Sequence, residues 1–265
     1  MTYWPECYGH ILESLFHLHK VAYSCDFEDF HVLLNVPQKF PNLVELVNFL
    51  FADRLVNSGD FNQDKLINFQ ALRLIHNYMG TPDFFKFSDE NLLNKIRQFY
   101  SSDTSLISNL EYNDFVYLTR SINNQHDSWS TLENLVDLNN FFEDNNFLVI
   151  DPQYYSDKKL FQLLNNAKCI VTTNGSALCP LITLNNFNAK VFCLNSRRYL
   201  PEWRRGIKND EELDLLLASQ PDLVDINFEK KLWHPITSRF NCTYIDSFEN
   251  KISNSQLNNL LSHII

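Results

Sequence analysis

Three groups of residues have types and spacings that could do chemistry. His10, Glu13 and His17 stand at i, i+3 and i+7, so on a helix they share one face. A histidine titrates near neutrality, and His10, following Gly9 where a helix would start, could take a proton from a substrate. Two imidazoles and a carboxylate could also hold zinc, although the spacing fits no zinc-hydrolase signature. Packing of the face is the simplest reading, a general base the next and a metal site the last. The second group is Asn174, Gly175, Ser176 and Ala177, between an apolar run and a helix expected to begin near Ala177. Gly175 lets the backbone turn tightly, and the amides of Ser176, Ala177 and Leu178 could then hold a phosphate. An ordinary turn and cap would use the same residues, and on this segment alone it comes first. The third is Arg120 with Ser121, directly after the run 114–119. A guanidinium at a strand end can fork onto a diphosphate, or it can be a solvated loop arginine. Two phosphate-compatible features on one sheet edge strengthen each other.

Other signals fail on inspection. Asp60 to Asp64 opens like a calcium loop, but Lys65 replaces the necessary glycine and Ala71 the final glutamate. The serine at 176 lacks the flanking glycines of a nucleophile elbow, which ranks a hydrolase reading last. No glycine-rich dinucleotide or P-loop fingerprint occurs, and no Asp-x-Asp pair of the kind metal-dependent sugar transferases use. Arg197, Arg198, Arg204 and Arg205 form a basic cluster that could touch an anion or simply be solvated.

The elements that must position these residues read as an alternation. Apolar spacing predicts helices over 9–22, 41–51 and 88–100, with short strands at 31–36, 53–57 and 68–75. The second half predicts strands at 114–119, 147–150, 168–173 and 190–194, separated by helices over 130–144, 156–166 and from Ala177. Such a βαβ series makes a mostly parallel sheet, with ligands expected beyond the carboxyl ends of its strands. A domain division is expected near residue 112, giving lobes 1–112 and 113–265. The closing helix over 252–264 could pack on either.

The chain has 265 residues, 45% hydrophobic and 20% charged, enough for a large core. Its net charge of −10 argues against a nucleic-acid partner, so any anion must be held by local cations and amides. The sequence is rich in asparagine and has only 5 glycines, so Asn is expected at left-handed turn positions. Six cysteines without a Cys-x-x-Cys pair, several inside apolar runs, predict buried free thiols of a reducing compartment. There is no signal-peptide layout and no run of 18 apolar residues, so a soluble, cytoplasmic protein is expected.

Taken in order, these blocks resemble glycosyltransferase family 61. The family's N-terminal His block is matched by Tyr8-Gly9-His10-Ile11-Leu12-Glu13 and its strand ending in Ser/Thr-Arg by Tyr117-Leu118-Thr119-Arg120. Its strand running into His-Gly-Ala-x-Leu is matched by Val171-Thr172-Thr173-Asn174-Gly175-Ser176-Ala177-Leu178, preceded by a matching helix at 157–167. The resemblance spans roughly residues 8–195. It implies a GT-B-like α/β fold: two Rossmann-like lobes with a cleft between them and the donor held by the C-terminal lobe. It also implies inverting, metal-independent transfer from a UDP-sugar, of the xylose or GlcNAc type, to a glycan acceptor, with no other cofactor. Under it, His10 or Glu13 is the catalytic base, and Arg120, Ser121, Asn174, Gly175, Ser176 and Ala177 bind the donor. Two positions depart from the pattern: Asn174 stands where most members have His, and Ile11 where they have Trp. Asn can donate a hydrogen bond to a phosphate but cannot carry positive charge. A non-catalytic nucleotide- or carbohydrate-binding protein on a degenerate transferase scaffold is therefore the rival expectation.

Overall fold

The computed structural model describes residues 19, 32–33, 41–52, 55–56, 90–102, 113–119, 132, 134–173, 176–184, 188–196, 215, 237–247 and 251–264. The chain divides into two compact units, Met1–Ile107 and Ser108–Ile265.

In the first unit, β1 (Val32–Leu33) pairs in parallel with β2 (Leu55–Val56). Helix α1 (Pro41–Phe51) begins on a proline, whose missing N–H costs nothing at a first helical position. It buries Leu46, Val47, Leu50 and Phe51, while α2 (Glu90–Ser101) buries Leu92, Leu93, Ile96 and Tyr100. Phe49 stacks on Phe99 with ring centroids 4.9 Å apart, joining the two helices. The expected helix 9–22 (apart from His19) and strand 68–75 lie outside the described residues.

The second unit is a mixed α/β layer built on a five-stranded, all-parallel sheet. Its strands are β3 (Phe115–Leu118), β4 (Leu148–Ile150), β5 (Cys169–Thr173), β6 (Lys190–Ser196) and β7 (Cys242–Ser247). They lie in the order β4-β3-β5-β6-β7. Four matched the predicted runs closely. β7 extends the apolar run around Cys242 into a full strand in register with β6, pairing Val191 with Cys242 through Ser196 with Ser247.

Alternation along each strand sorts side chains between two faces. On one face Tyr117, Cys169, Val171, Phe192 and Leu194 meet Leu135, Leu138 and Phe142 of α3 (Leu135–Asp144). Leu257 and Leu260 of the closing helix α5 (Asn254–Ile264) complete this core, so that helix packs within its own unit. Before it in the chain comes α4 (Asp157–Asn166), capped by Ser156, whose hydroxyl accepts from the Lys159 amide at 3.2 Å.

The turn from α3 into β4 shows how asparagine substitutes for glycine. Asn146 has φ 64°, the left-handed conformation. With it there, the Phe147 amide donates to the Phe142 carbonyl at 2.9 Å and the Asn146 amide to Glu143 at 3.0 Å. The rings of Phe142 and Phe147 close the same turn with centroids 5.0 Å apart. This is a complete Schellman stop with an asparagine in the glycine position, as the composition led us to expect.

Cys169 and Cys193 are buried and form no disulfide, whereas Cys242, expected to be buried, is only half so. Burial pushes the Cys169 thiol up to about 12, against a smaller opposing pull from the Lys190 charge. Burial alone pushes Cys242 up to about 12. A raised thiol pKa stabilises the folded state fully below the unfolded value near 9. That contribution is lost as pH rises from there toward 12. Both thiols should therefore resist iodoacetamide at pH 8 in the native protein and react once urea unfolds it, as peptide mass mapping would show. Rapid native labelling of Cys169 would contradict the packing described.

Candidate functional site

The site follows from strand order. β3 and β5 are neighbours in space, although β4 lies between them in sequence. Leaving β3, the chain runs through α3 to β4 on one side; leaving β5, it runs to β6 on the other. The strand order therefore reverses between β3 and β5, and a crevice at such a reversal is where parallel sheets bind ligands. The last paired positions there are Leu118 and Thr172, so Thr119 and Thr173 are the residues at which the two strands end.

Their chemistry differs from the rest of the strands. The amino-terminal and middle positions are apolar: Val116, Cys169, Ile170 and Val191 are all at most 2% exposed. The carboxyl ends turn polar while staying buried, with Thr119, Thr172, Thr173 and Asn195 between 0% and 5% exposed. A buried polar group must be bonded or costs free energy, so polar residues at this end alone call for an explanation. Thr119 is held twice. Its amide donates to the Ile150 carbonyl at 2.8 Å, and its hydroxyl donates to Asn139 Oδ1 on α3 at 2.7 Å. The Thr172 hydroxyl donates to the Thr173 carbonyl at 3.1 Å. Among the described residues, Thr173 Oγ1 is buried with no hydrogen-bond partner, and Tyr117 Oη is buried with only the Thr119 hydroxyl nearby, outside good hydrogen-bond geometry. Burial drives the Tyr117 phenol well above its ordinary pKa, with the nearby Thr119 hydroxyl opposing this weakly.

The expected donor residues attach to this edge through the sequence. Arg120 and Ser121 follow Thr119, and Asn174 and Gly175 follow Thr173; all four lie outside the described residues. So do His10, Glu13 and His17, and the arginines at 197, 198, 204 and 205. Ser176 and Ala177 open a helix, but it is a 3-10 helix over Ser176–Thr183 rather than the α-helix expected from Ala177. Pro180 lies inside it and supplies no amide to the helix ladder. A 3-10 helix still leaves its first amides free of intrahelical partners, but with poorer alignment of its peptide dipoles. Any anion here is therefore held more by individual N–H groups than by a helix dipole. Ala177 and Leu178 are buried and anchor this segment.

Sequence reasoning missed Asn139, Thr173 and Asn195. The signal for Asn139 was present: it stands one turn after Leu135 and beside Leu138, at the flank of the apolar stripe. Among the described residues no three His, Cys, Asp or Glu gather where a metal ion could be held. No described helix is long and apolar enough to cross a membrane.

The family model described as Glycosyltransferase 61 matches residues 8–191. The chain belongs to that family, and glycosyl transfer is the class of activity the family implies. The matched span takes in the ends of β3 and β5 and stops within β6. No curated protein and no solved structure matches the chain.

The buried Tyr117 hydroxyl, with no well-formed hydrogen bond among the described residues, generates a direct test. Its ring lies 4.2 Å from that of Phe142, so Tyr117→Phe keeps the packing and removes only the hydroxyl. A buried hydroxyl without a partner is a net cost, so the variant should be more stable by up to about 1 kcal/mol in urea unfolding. A loss of stability of that size would mean that the hydroxyl is bonded after all.

Proposed function

We propose that this chain is an inverting glycosyltransferase that moves a sugar from a UDP-sugar, of the xylose or GlcNAc type, to a glycan hydroxyl. The observation that supports it is that the two family blocks with phosphate-binding chemistry attach to the two strands flanking the reversal of strand order. In this reading the fold is of the GT-B type and the second unit holds the donor. Arg120 forks onto the diphosphate, and Ser121, Asn174, Gly175 and the amides of Ser176 and Ala177 complete its binding. These groups carry the leaving-group charge, so neither a metal nor a resident cofactor is needed.

The reaction itself is a single displacement. His10, with Glu13 to orient it or to act in its place, takes the proton of the acceptor hydroxyl. The acceptor oxygen bonds to the anomeric carbon as the bond from that carbon to the diphosphate oxygen breaks, and UDP leaves with the electron pair. Attack opposite the leaving group inverts the configuration. Asn174 can bond a phosphate oxygen but brings no charge, which makes Arg120 the main cation of the donor site.

The reading is tested by a panel of UDP-sugars assayed for slow hydrolysis, glycan transfer and UDP binding, with and without EDTA. Turnover that survives EDTA supports it. Loss on chelation with rescue by manganese overturns metal independence, and UDP binding without turnover selects the non-catalytic reading that Asn174 favours. Arg120→Ala should weaken UDP binding by roughly 2–4 kcal/mol, the cost of cutting one side of a desolvated charged contact. Unchanged affinity in a folded variant would remove Arg120 from the site.

The base has its own signature. His10→Ala should lower turnover by about 10²–10⁴-fold while leaving UDP binding nearly intact. If Glu13→Gln abolishes turnover and His10→Ala is active, the roles are exchanged.

A further inference from the structure

We propose that Asn139 is a positioning residue of the donor site, acting through the hydroxyl of Thr119. The inference rests on the reading of Arg120 as a donor ligand and adds the residue that fixes the point from which Arg120 departs.

The pairing of β3 with both neighbours ends at Leu118, opposite Ile150 and Thr172. A chain leaving a sheet beyond its last paired residue ordinarily gains conformational freedom at once. Thr119 does not, because the Ile150 carbonyl holds its backbone and Asn139 its side chain. Asn139 is itself held by a clamped helix. At one end of α3, Asn134 gives its Nδ2 to the Ile252 carbonyl at 2.9 Å and accepts the Ile252 amide at 3.3 Å. At the other end the chain is locked by the left-handed turn at Asn146. Leu135, Leu138 and Phe142 anchor the span between in the core. The Oδ1 of Asn139 is thus a fixed acceptor, and Thr119 is tied to it at a part-buried site, where a hydrogen bond is less exposed to competing water.

Helix formation does not explain the residue. Asn is a poorer helix former than Leu or Ala, and its amide beside an apolar stripe gains nothing from packing. What it supplies is an acceptor one turn beyond Leu135, at the height of the strand end. Arg120 is bonded to Thr119, and consecutive α-carbons are about 3.8 Å apart, so a fixed Thr119 limits where the guanidinium can originate. A charged clamp that starts from a fixed point loses less freedom when it closes on a diphosphate, which raises affinity without adding a contact.

The test is a double-mutant cycle read by calorimetry with UDP, GDP, CDP and TDP, carrying forward the tightest binder. Variants are Asn139→Leu, Thr119→Val, Thr119→Ser, Arg120→Ala and Asn139→Leu with Arg120→Ala, each checked by circular dichroism. Asn139→Leu and the isosteric Thr119→Val should each weaken binding about fivefold to tenfold, while Thr119→Ser, which keeps the hydroxyl, stays within about twofold of the parent. In the Arg120→Ala background, Asn139→Leu should add no further loss, because the residue through which it acts is gone. If Asn139→Leu does not fold, Thr119→Val and its combination with Arg120→Ala carry the same cycle. Parent-like affinity in folded Asn139→Leu and Thr119→Val, or an equal loss with and without Arg120, overturns the proposal and leaves the donor reading intact. Parent-like affinity in Arg120→Ala, or no binding of any nucleotide by the parent chain, overturns the donor reading and this inference with it.

Discussion

Everything at the candidate site depends on the parallel pairing of β3 with β5, two strands that are neighbours in space with a third strand between them in sequence. Parallel pairing sends every strand's carboxyl end to the same edge, and the skipped strand makes the connections diverge there. The pairing is stabilised from below by an apolar face in which Tyr117, Val171 and Leu194 pack on Phe142, Leu138 and Leu260. Burying such a face is the main favourable contribution available to a unit of this size. The site above it is held by the core beneath.

The transition from apolar to polar along β3 and β5 marks where the sheet stops being scaffold. Below Leu118 and Thr172, β3 and β5 are lined by apolar residues and Tyr117. Above them, hydroxyls and amides are buried, some with partners and some without. A protein under selection for stability alone would fill these positions with valine, which has the shape of threonine and no desolvation cost. The polar edge coincides with the reversal of strand order and with the residues that match glycosyltransferase family 61.

The 3-10 helix after β5 changes how phosphate affinity is distributed in the proposed site. An α-helix would contribute a summed dipole, whereas Ser176–Thr183 offers separate amides. With Asn174 in place of the family's usual histidine, positive charge near that turn is also reduced. Under the proposed donor reading, diphosphate affinity leans on the β3 side of the crevice, where the Thr119 hydroxyl is bonded to Asn139.

Local pattern along the chain was enough for the α/β class, the boundaries of α1, α4 and β5 to within a residue or so, and the family. These are legible because amphipathic period, caps such as Ser156 and ordered motif blocks are written locally along the chain. It also showed that asparagine would serve where glycine is scarce, as Asn146 does, since left-handed tolerance belongs to the residue type. Packing of the whole unit set β3 beside β5, joined β7 to the sheet, and laid α5 on the same face as α3. It alone brought Asn139 to Thr119, 20 positions apart in the chain. Periodicity reports which face of an element is apolar, but the neighbour on that face is chosen by the packing of the whole unit. For the same reason the 3-10 geometry of Ser176–Thr183 escaped the local pattern: Pro180 signalled a departure from an ordinary helix, and the burial of Ala177, Leu178, Leu181 and Ile182 accompanies the form it took.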